Sequence, residues 1–406
     1  MAINRREFIK YAGLAAASTI VAGCAGAAAG STAPARSNSS PIFEPVKIGN
    51  LELKNRMIKS ASQELRSDTN GNPTDDLIRV YTNLSKGGVA MIITGLTYVL
   101  RDEQYNPNGA GMYDDSQIPA YQRLTSAVHD NGAKICAQLA LIGSNRNYNL
   151  DKRVFAPSAA IGSSYGTQVQ KEMTKDEIKQ AVAAVAAAAV RAQKAGFDAV
   201  ELHLAHEYLA CQFLMPYFNR RKDEYGGSRE NRARFAFEIV EAVRAAVGPD
   251  FPVLAKFAST HERGEQGCLR DDIDYTAKGL AERGLTALDI SGGNEVEDFN
   301  PSHRWISDYT EDMCYFAHDA RFISMSLNFP LILTGGSRDI GVMEKAMQSN
   351  DQIVAFGIAR PLINDPSLPN KWMADVTYKA ECISCNWCRD NYGGQKTHCQ
   401  FRPEEA

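Results

Sequence analysis

From Ile42 onward the chain alternates, eight times over, between a short apolar run and a segment with helical patterning, and few architectures accept that rhythm. The short runs lie at 56–60, 89–94, 134–139, 199–203, 252–257, 287–291, 330–334 and 352–357. Each is apolar along most of its length, not at every second residue, as a parallel strand covered on both faces requires. The clearest helix starts at Thr174, where Glu177 three residues on completes a capping box, and runs through an alanine-rich stretch to Ala195-Gly196. Further helical patterns fit 75–86, 116–131, 229–247, 271–284 and 338–349. Eight such units over roughly 320 residues predict an α/β protein with a single-domain (β/α)8 TIM barrel. A doubly wound sheet is the alternative, but no Gly-x-Gly-x-x-Gly follows the first run.

The flanks read differently. Asn4-Arg5-Arg6-Glu7-Phe8-Ile9-Lys10 precedes a weakly apolar stretch to Gly23, the order of a twin-arginine export signal; a basic amphipathic helix is the alternative. Val21-Ala22-Gly23-Cys24 resembles a lipobox, which would free Cys24 for lipidation. Residues 25–41 are mostly Ala, Ser, Gly, Pro and Asn, too poor in large apolar side chains to pack. The division expected is a signal at 1–23, a flexible tether at 24–41, the barrel at 42–375 and a short cysteine-rich C-terminal extension at 376–406. Localisation follows: export by the twin-arginine route, then a periplasmic or lipid-anchored envelope protein. The lipid on Cys24 is the only membrane attachment expected, since no apolar run reaches the length of a span. With a net charge of −4, nothing basic points to nucleic acid.

Polar and glycine residues collect at the C-terminal ends of the predicted strands: Ser60-Ala61-Ser62-Gln63, Thr94-Gly95, Gln138, His203, Lys256, Ser291-Gly292-Gly293, Thr334-Gly335-Gly336, and Gly357 through Ala359 to Arg360. In a barrel those ends form one face, and that face carries the active site. Glycines after strands seven and eight let backbone N–H groups approach a phosphate, with Arg360 as a cationic fork. His203, His206 and Tyr208 follow strand four. His-x-x-His alone is more often a structural pair or a metal site. On this rim, two imidazoles can donate to a carbonyl oxygen and a phenol can protonate carbon.

Several stretches resemble the old yellow enzyme family, in particular the branch of bacterial 2,4-dienoyl-CoA reductase. They are residues 43–56, Gln138-Leu139, residues 195–209, Asn219-Arg220-Arg221, residues 223–228 and Asn231-Arg232. The resemblance spans about 42 to 400 and implies an FMN-dependent oxidoreductase of the ene-reductase type. In it, FMN gives hydride to a small-molecule activated alkene, His203 and His206 bind the developing anion, and Tyr208 donates the proton. It further implies that Gln138 reads the flavin pyrimidine edge and that Lys256 stands where relatives carry Arg, near flavin N1 and O2. A flavin dehydrogenase working in the oxidative direction and a non-catalytic binding lipoprotein are the alternatives. The sequence departs from the family at Ala61 for Pro, Gln63 for Cys or Thr, Glu207 for Gly and Ala359 for Gly, which puts substrate range and flavin potential in doubt.

Four of the nine cysteines, Cys382, Cys385, Cys388 and Cys399, cluster at the C-terminus. Cysteines so spaced can share a metal or cluster. The resemblance implies a [4Fe–4S] cluster, although the last spacings are shorter than in the family; structural zinc and two disulfides are the alternatives. The electron donor expected is NAD(P)H or, given export, a periplasmic or quinol-linked carrier.

Overall fold

A computed structural model describes residues 38–145, 155–159, 171–259, 267–293, 313–388 and 396–402. The predicted signal with Arg5-Arg6, Cys24 and nearly all of the tether lie outside the described residues. Eight parallel strands close on themselves: β1 (Met57–Lys59), β2 (Met91–Ile93), β3 (Lys134–Ala140), β4 (Ala199–Leu204), β5 (Val253–Ala258), β6 (Ala287–Ser291), β7 (Leu331–Thr334) and β8 (Ile353–Ile358). Closure is made where Phe356, Gly357 and Ile358 of β8 register with Met57, Ile58 and Lys59 of β1. The chain is the (β/α)8 TIM barrel that the eightfold alternation predicts. The strands end within a residue or two of the expected bounds.

The helices form where their caps say. In α1 (Asp75–Lys86), Thr74 caps the start and Asp75 and Asp76 occupy the first turn, where the helix dipole favours them. In α3 (Lys175–Lys194), the Glu177 amide donates to Thr174 Oγ1 at 3.3 Å and the Thr174 amide to Glu177 Oε2 at 2.8 Å. Buried alanines 181, 188, 189 and 192 keep that helix thin enough to lie close to its neighbours. Between these two stands α2 (Ile118–His129). After α3 come α4 (Arg229–Val247), α5 (Arg270–Glu282), α6 (Ala317–Ser324) and α7 (Ile340–Ser349), completing the outer shell on which the strands rest. The sequence reading missed α6.

The bottom of the barrel is shut by an antiparallel hairpin, Val46–Ile48 with Leu51–Leu53. Its turn places Gly49 at φ +58, and its buried Ile48, Leu51 and Leu53 pack on Ile58, Met91, Leu254 and Ile332. At the mouth, Thr97–Tyr98 adds to the edge of β3, setting Tyr98 beside Ala140. Directly after Tyr208, the short helix Leu209–Leu214 is buried throughout. Among the described residues, no helix is long and apolar enough to cross a membrane.

Candidate active site at the barrel mouth

Inside the barrel, near the C-terminal ends of β3 to β6, charge replaces hydrocarbon. Lys256 on β5 is 2 % exposed, so it is no surface lysine. Its ammonium pairs closely with Asp289 of β6, lies 3.8 Å from Glu201 of β4, and donates to Ser60 Oγ at 3.2 Å. Burial opposes its charge, but Asp289 and Glu201 hold the lysine above its ordinary pKa. Gln138 of β3 donates from Nε2 to Glu201 Oε2 at 2.6 Å. Burial, joined by the neighbouring Asp289, pushes the Glu201 carboxyl up to about 8, against the pull of Lys256.

Above this layer stand the three predicted catalytic side chains, and the structure brings them together. The His203 ring is 4.4 Å from the ring of Tyr208 and 5.2 Å from that of His206, centroid to centroid. His203 Nδ1 accepts from the Ala205 amide at 3.4 Å, an arrangement that puts the proton of the neutral ring on Nε2. His206 Nε2 meets Ser291 Oγ at 2.8 Å. Both His206 and Glu207 have left-handed backbones, at φ +56 and +59, costing on the order of 1–3 kcal/mol each. A glycine at 207 would adopt that conformation freely. Here Glu207 is buried and its carbonyl accepts from Gln212 Nε2 at 2.7 Å, which secures the turn that aims Tyr208.

Gln63, at the end of β1, donates to the hydroxyl of Tyr98 and accepts from that of Tyr105, both at 3.2 Å. Burial, with Tyr105 and Tyr208 nearby, raises the Tyr98 phenol well above its ordinary value, so it stays neutral. Ala61 and Ser62 line the way to Gln63 and are part-exposed. The amide of Gly95 is taken by Glu64 Oε2 at 3.2 Å and the Tyr81 hydroxyl at 3.3 Å, so Gly95 offers a ligand shape and no free donor.

At the strand seven and eight ends, Gly335 and Gly336 have φ of +138 and +72, and a side chain at either would meet Tyr315. Gly357 has a different reason: a Cβ there would fall 1.8 Å from Thr334 Oγ1. Ala359 caps the short helix Arg360–Asn364. Arg360 donates to Asn386 Oδ1 at 2.6 Å and reaches the Ser384 carbonyl, so the cation expected at a phosphate also holds the cysteine segment.

That segment folds back on the mouth. Arg338, buried and unforeseen, donates to the Cys382 carbonyl at 2.8 Å. Thr397 binds strand one's end, donating from Oγ1 to the Gln63 carbonyl at 2.6 Å. Cys382, Cys385, Cys388 and Cys399 carry no disulfide and line one cavity of about 240 Å³. The disulfide alternative is therefore not formed. Among the described residues, no three His, Cys, Asp or Glu close on a point that could hold a single metal ion. Burial pushes the Cys388 thiol up to about 12, so a thiolate there needs a cation in the cavity.

The fold and this mouth define a class, and comparison with known proteins agrees. Residues 41–377 match the NADH:flavin oxidoreductase / NADH oxidase family, an FMN-binding family of oxidoreductases. The chain belongs to that family, which is the old yellow enzyme family. It is 32 % identical over 390 residues to the 4,4'-dithiodibutanoate disulfide reductase of Rhodococcus erythropolis, covering 89 % of this chain and 95 % of that one. Against the metal reductase of Desulforamulus reducens it is 32 % identical over 352 residues, covering 86 % of this chain and 51 % of the relative; the chain spans about half that protein's length. The structure of morphinone reductase superposes with a TM-score of 0.70 at 27 % identity, over 85 % of this chain and 92 % of the other.

Sequence reasoning missed Glu201 and Asp289. The signal was available: a carboxylate inside an otherwise apolar strand is seldom left buried without a partner. Glu201 also lies two residues before His203, on the same face of the strand.

Proposed function

We propose that this chain reduces activated, carbonyl-conjugated C=C bonds with FMN as hydride carrier. The observation that carries the reading is the meeting of His203, His206 and Tyr208 directly above the Gln138–Lys256 layer. The chemistry of that layer suits a flavin edge. The Gln138 carbonyl oxygen could accept from a ring N–H, and Lys256 would supply the cation that stabilises a reduced flavin's negative charge. Ala61, Ser62, Gln63 and Gly95 border the ring. Gly335, Gly336, Gly357, Ala359 and Arg360 form the phosphate end.

Reduced FMN, when bound, supplies hydride to the β carbon. The side chains do the rest. His203 and His206 donate to the substrate carbonyl oxygen, which stabilises the negative charge that grows there. Tyr208 delivers the proton to the α carbon. In the same reading the cysteine cavity, larger than one ion needs, holds a [4Fe–4S] cluster on Cys382, Cys385, Cys388 and Cys399. The Arg5-Arg6 leader directs export, with Cys24 as a lipid anchor. Electrons come from NAD(P)H or from a periplasmic or quinol-linked carrier.

The test is Tyr208→Phe followed by stopped flow, with the two half-reactions separated. Oxidation of reduced enzyme by a cyclic enone is expected to slow by about 10²–10⁴-fold, with flavin reduction nearly unchanged. Equal loss in both halves would make Tyr208 a structural residue and remove the proton donor from the scheme.

A further inference from the structure

Two buried carboxylate oxygens at the mouth have no hydrogen-bond partner: Glu201 Oε1 and Asp289 Oδ1. Both side chains are fully buried, on adjacent regions of β4 and β6, and both face Lys256. Two carboxylates offer only acceptors, so such a pair leaves both oxygens unsatisfied; one proton between them satisfies both. Glu201 also fixes Gln138, since its other oxygen takes the Gln138 amide hydrogen at 2.6 Å and leaves the amide carbonyl for a ligand.

We infer that Glu201 and Asp289 share one proton beside Lys256, and that Glu201 is a positioning residue. It orients Gln138 and takes up a proton when the bound flavin is reduced. This rests on the reading of the mouth as the flavin site. The coupling is electrostatic. Two-electron reduction adds negative charge next to Lys256, and an ionised Glu201 would oppose it. Above the pH at which Glu201 ionises in the oxidised protein, two electrons enter the flavin with one extra proton, moved from solvent onto Glu201. The rise of Glu201 to about 8 sets where that begins. The groups facing the pair are Cys136 and Gln138 of β3, Lys256 of β5, and, bonded to Lys256, Ser60 and Thr334; His203 stands two residues on along β4. The Cys136 thiol is pushed far up by burial and stays neutral.

The experiment is a dithionite titration of the FMN-loaded full chain between pH 6 and 10, with the midpoint potential read from the flavin spectrum. In the wild type, the potential is expected to fall more steeply above about pH 8, by an extra factor of ten per pH unit in the two-electron equilibrium, or about 30 mV. Glu201→Gln keeps an acceptor for Gln138 and gains a donor for Asp289, but cannot titrate. Titrated in its FMN-loaded form, it is expected to lose the extra slope. Glu201→Met, which breaks the bond to Gln138, is expected to weaken FMN binding measured by fluorescence. A wild-type slope that stays constant to pH 10 overturns the shared proton, whatever the variants do. So does a Glu201→Gln protein with the wild-type slope. A wild type that takes up no FMN instead defeats the flavin-site reading, and spectroscopy shows that before any titration begins.

Discussion

The two ends of the barrel are made from the same eight strands and could hardly differ more. At the bottom, Ile58, Met91, Ile93, Leu254 and Ile332 close under the hairpin in an all-apolar plug. Two residues beyond Cys136, Ala199, Leu254 and Ala287 of the same plug, along β3 to β6, Gln138, Glu201, Lys256 and Asp289 form a buried polar layer. The plug gains free energy with every buried methylene. The mouth lies at the end that turns outward to ligands, and it holds a lysine between two carboxylates and a left-handed His206-Glu207 pair. Stability is concentrated at one end and chemistry at the other, and each end can be broken alone.

Lys256→Met should give the largest loss. It leaves Asp289 and Glu201 buried without their cation, a change expected to cost about 3–5 kcal/mol at pH 8. Glu201, which burial pushes up to about 8 even beside Lys256, then holds a proton that the unfolded chain has already released. The native variant therefore binds more protons than its unfolded form, and its stability should recover as pH falls toward 5. Urea unfolding at pH 8 and pH 5.5 measures this; a loss equal at both values would show that these carboxylates do not carry the penalty.

Ile332→Ala tests the plug. Ile332 is fully buried there, so about 2–5 kcal/mol should be lost, independent of pH. The flavin spectrum and the enone half-reaction should stay as in the wild type at temperatures where the variant is folded. A shifted spectrum would mean that the two ends are mechanically coupled after all.

The contrast also explains what could be read from the chain alone. The barrel was legible because apolar runs, the Thr174–Glu177 box and the spacing of the units all report the same eightfold repeat. His203, His206 and Tyr208 were legible through their order along one segment. Glu201 and Asp289 were not, because each is a single polar residue within an apolar run, and only closure of the sheet brings β3, β4, β5 and β6 around Lys256. The clamp of Thr397 on Gln63 was equally hidden: its partners lie 334 positions apart and no local pattern joins them. Cys382, Cys385, Cys388 and Cys399 were legible as a group, yet the cavity that they line together needed coordinates.

The smallest expected effect comes from the outer shell, which belongs to neither end. Thr174 starts α3, its hydroxyl accepting from the Glu177 amide while the Glu177 side chain returns to the Thr174 amide. Thr174 is exposed and Glu177 half-buried, so water replaces part of what a mutation removes. Thr174→Ala should cost about 1 kcal/mol, the usual value for a lost N-cap, and Thr174→Ser should restore most of it. Neither variant should alter the rate at which dithionite reduces bound flavin, because Thr174 lies at the exposed start of a helix that packs on the outside of the barrel. Urea midpoints of the two variants measure the first expectation and stopped flow the second. A loss well above 2 kcal/mol would place the start of α3 in the cooperative core. A change in the reduction rate would carry the influence of the shell into the mouth, and the separation between the scaffold and the site would then fail at its outermost layer.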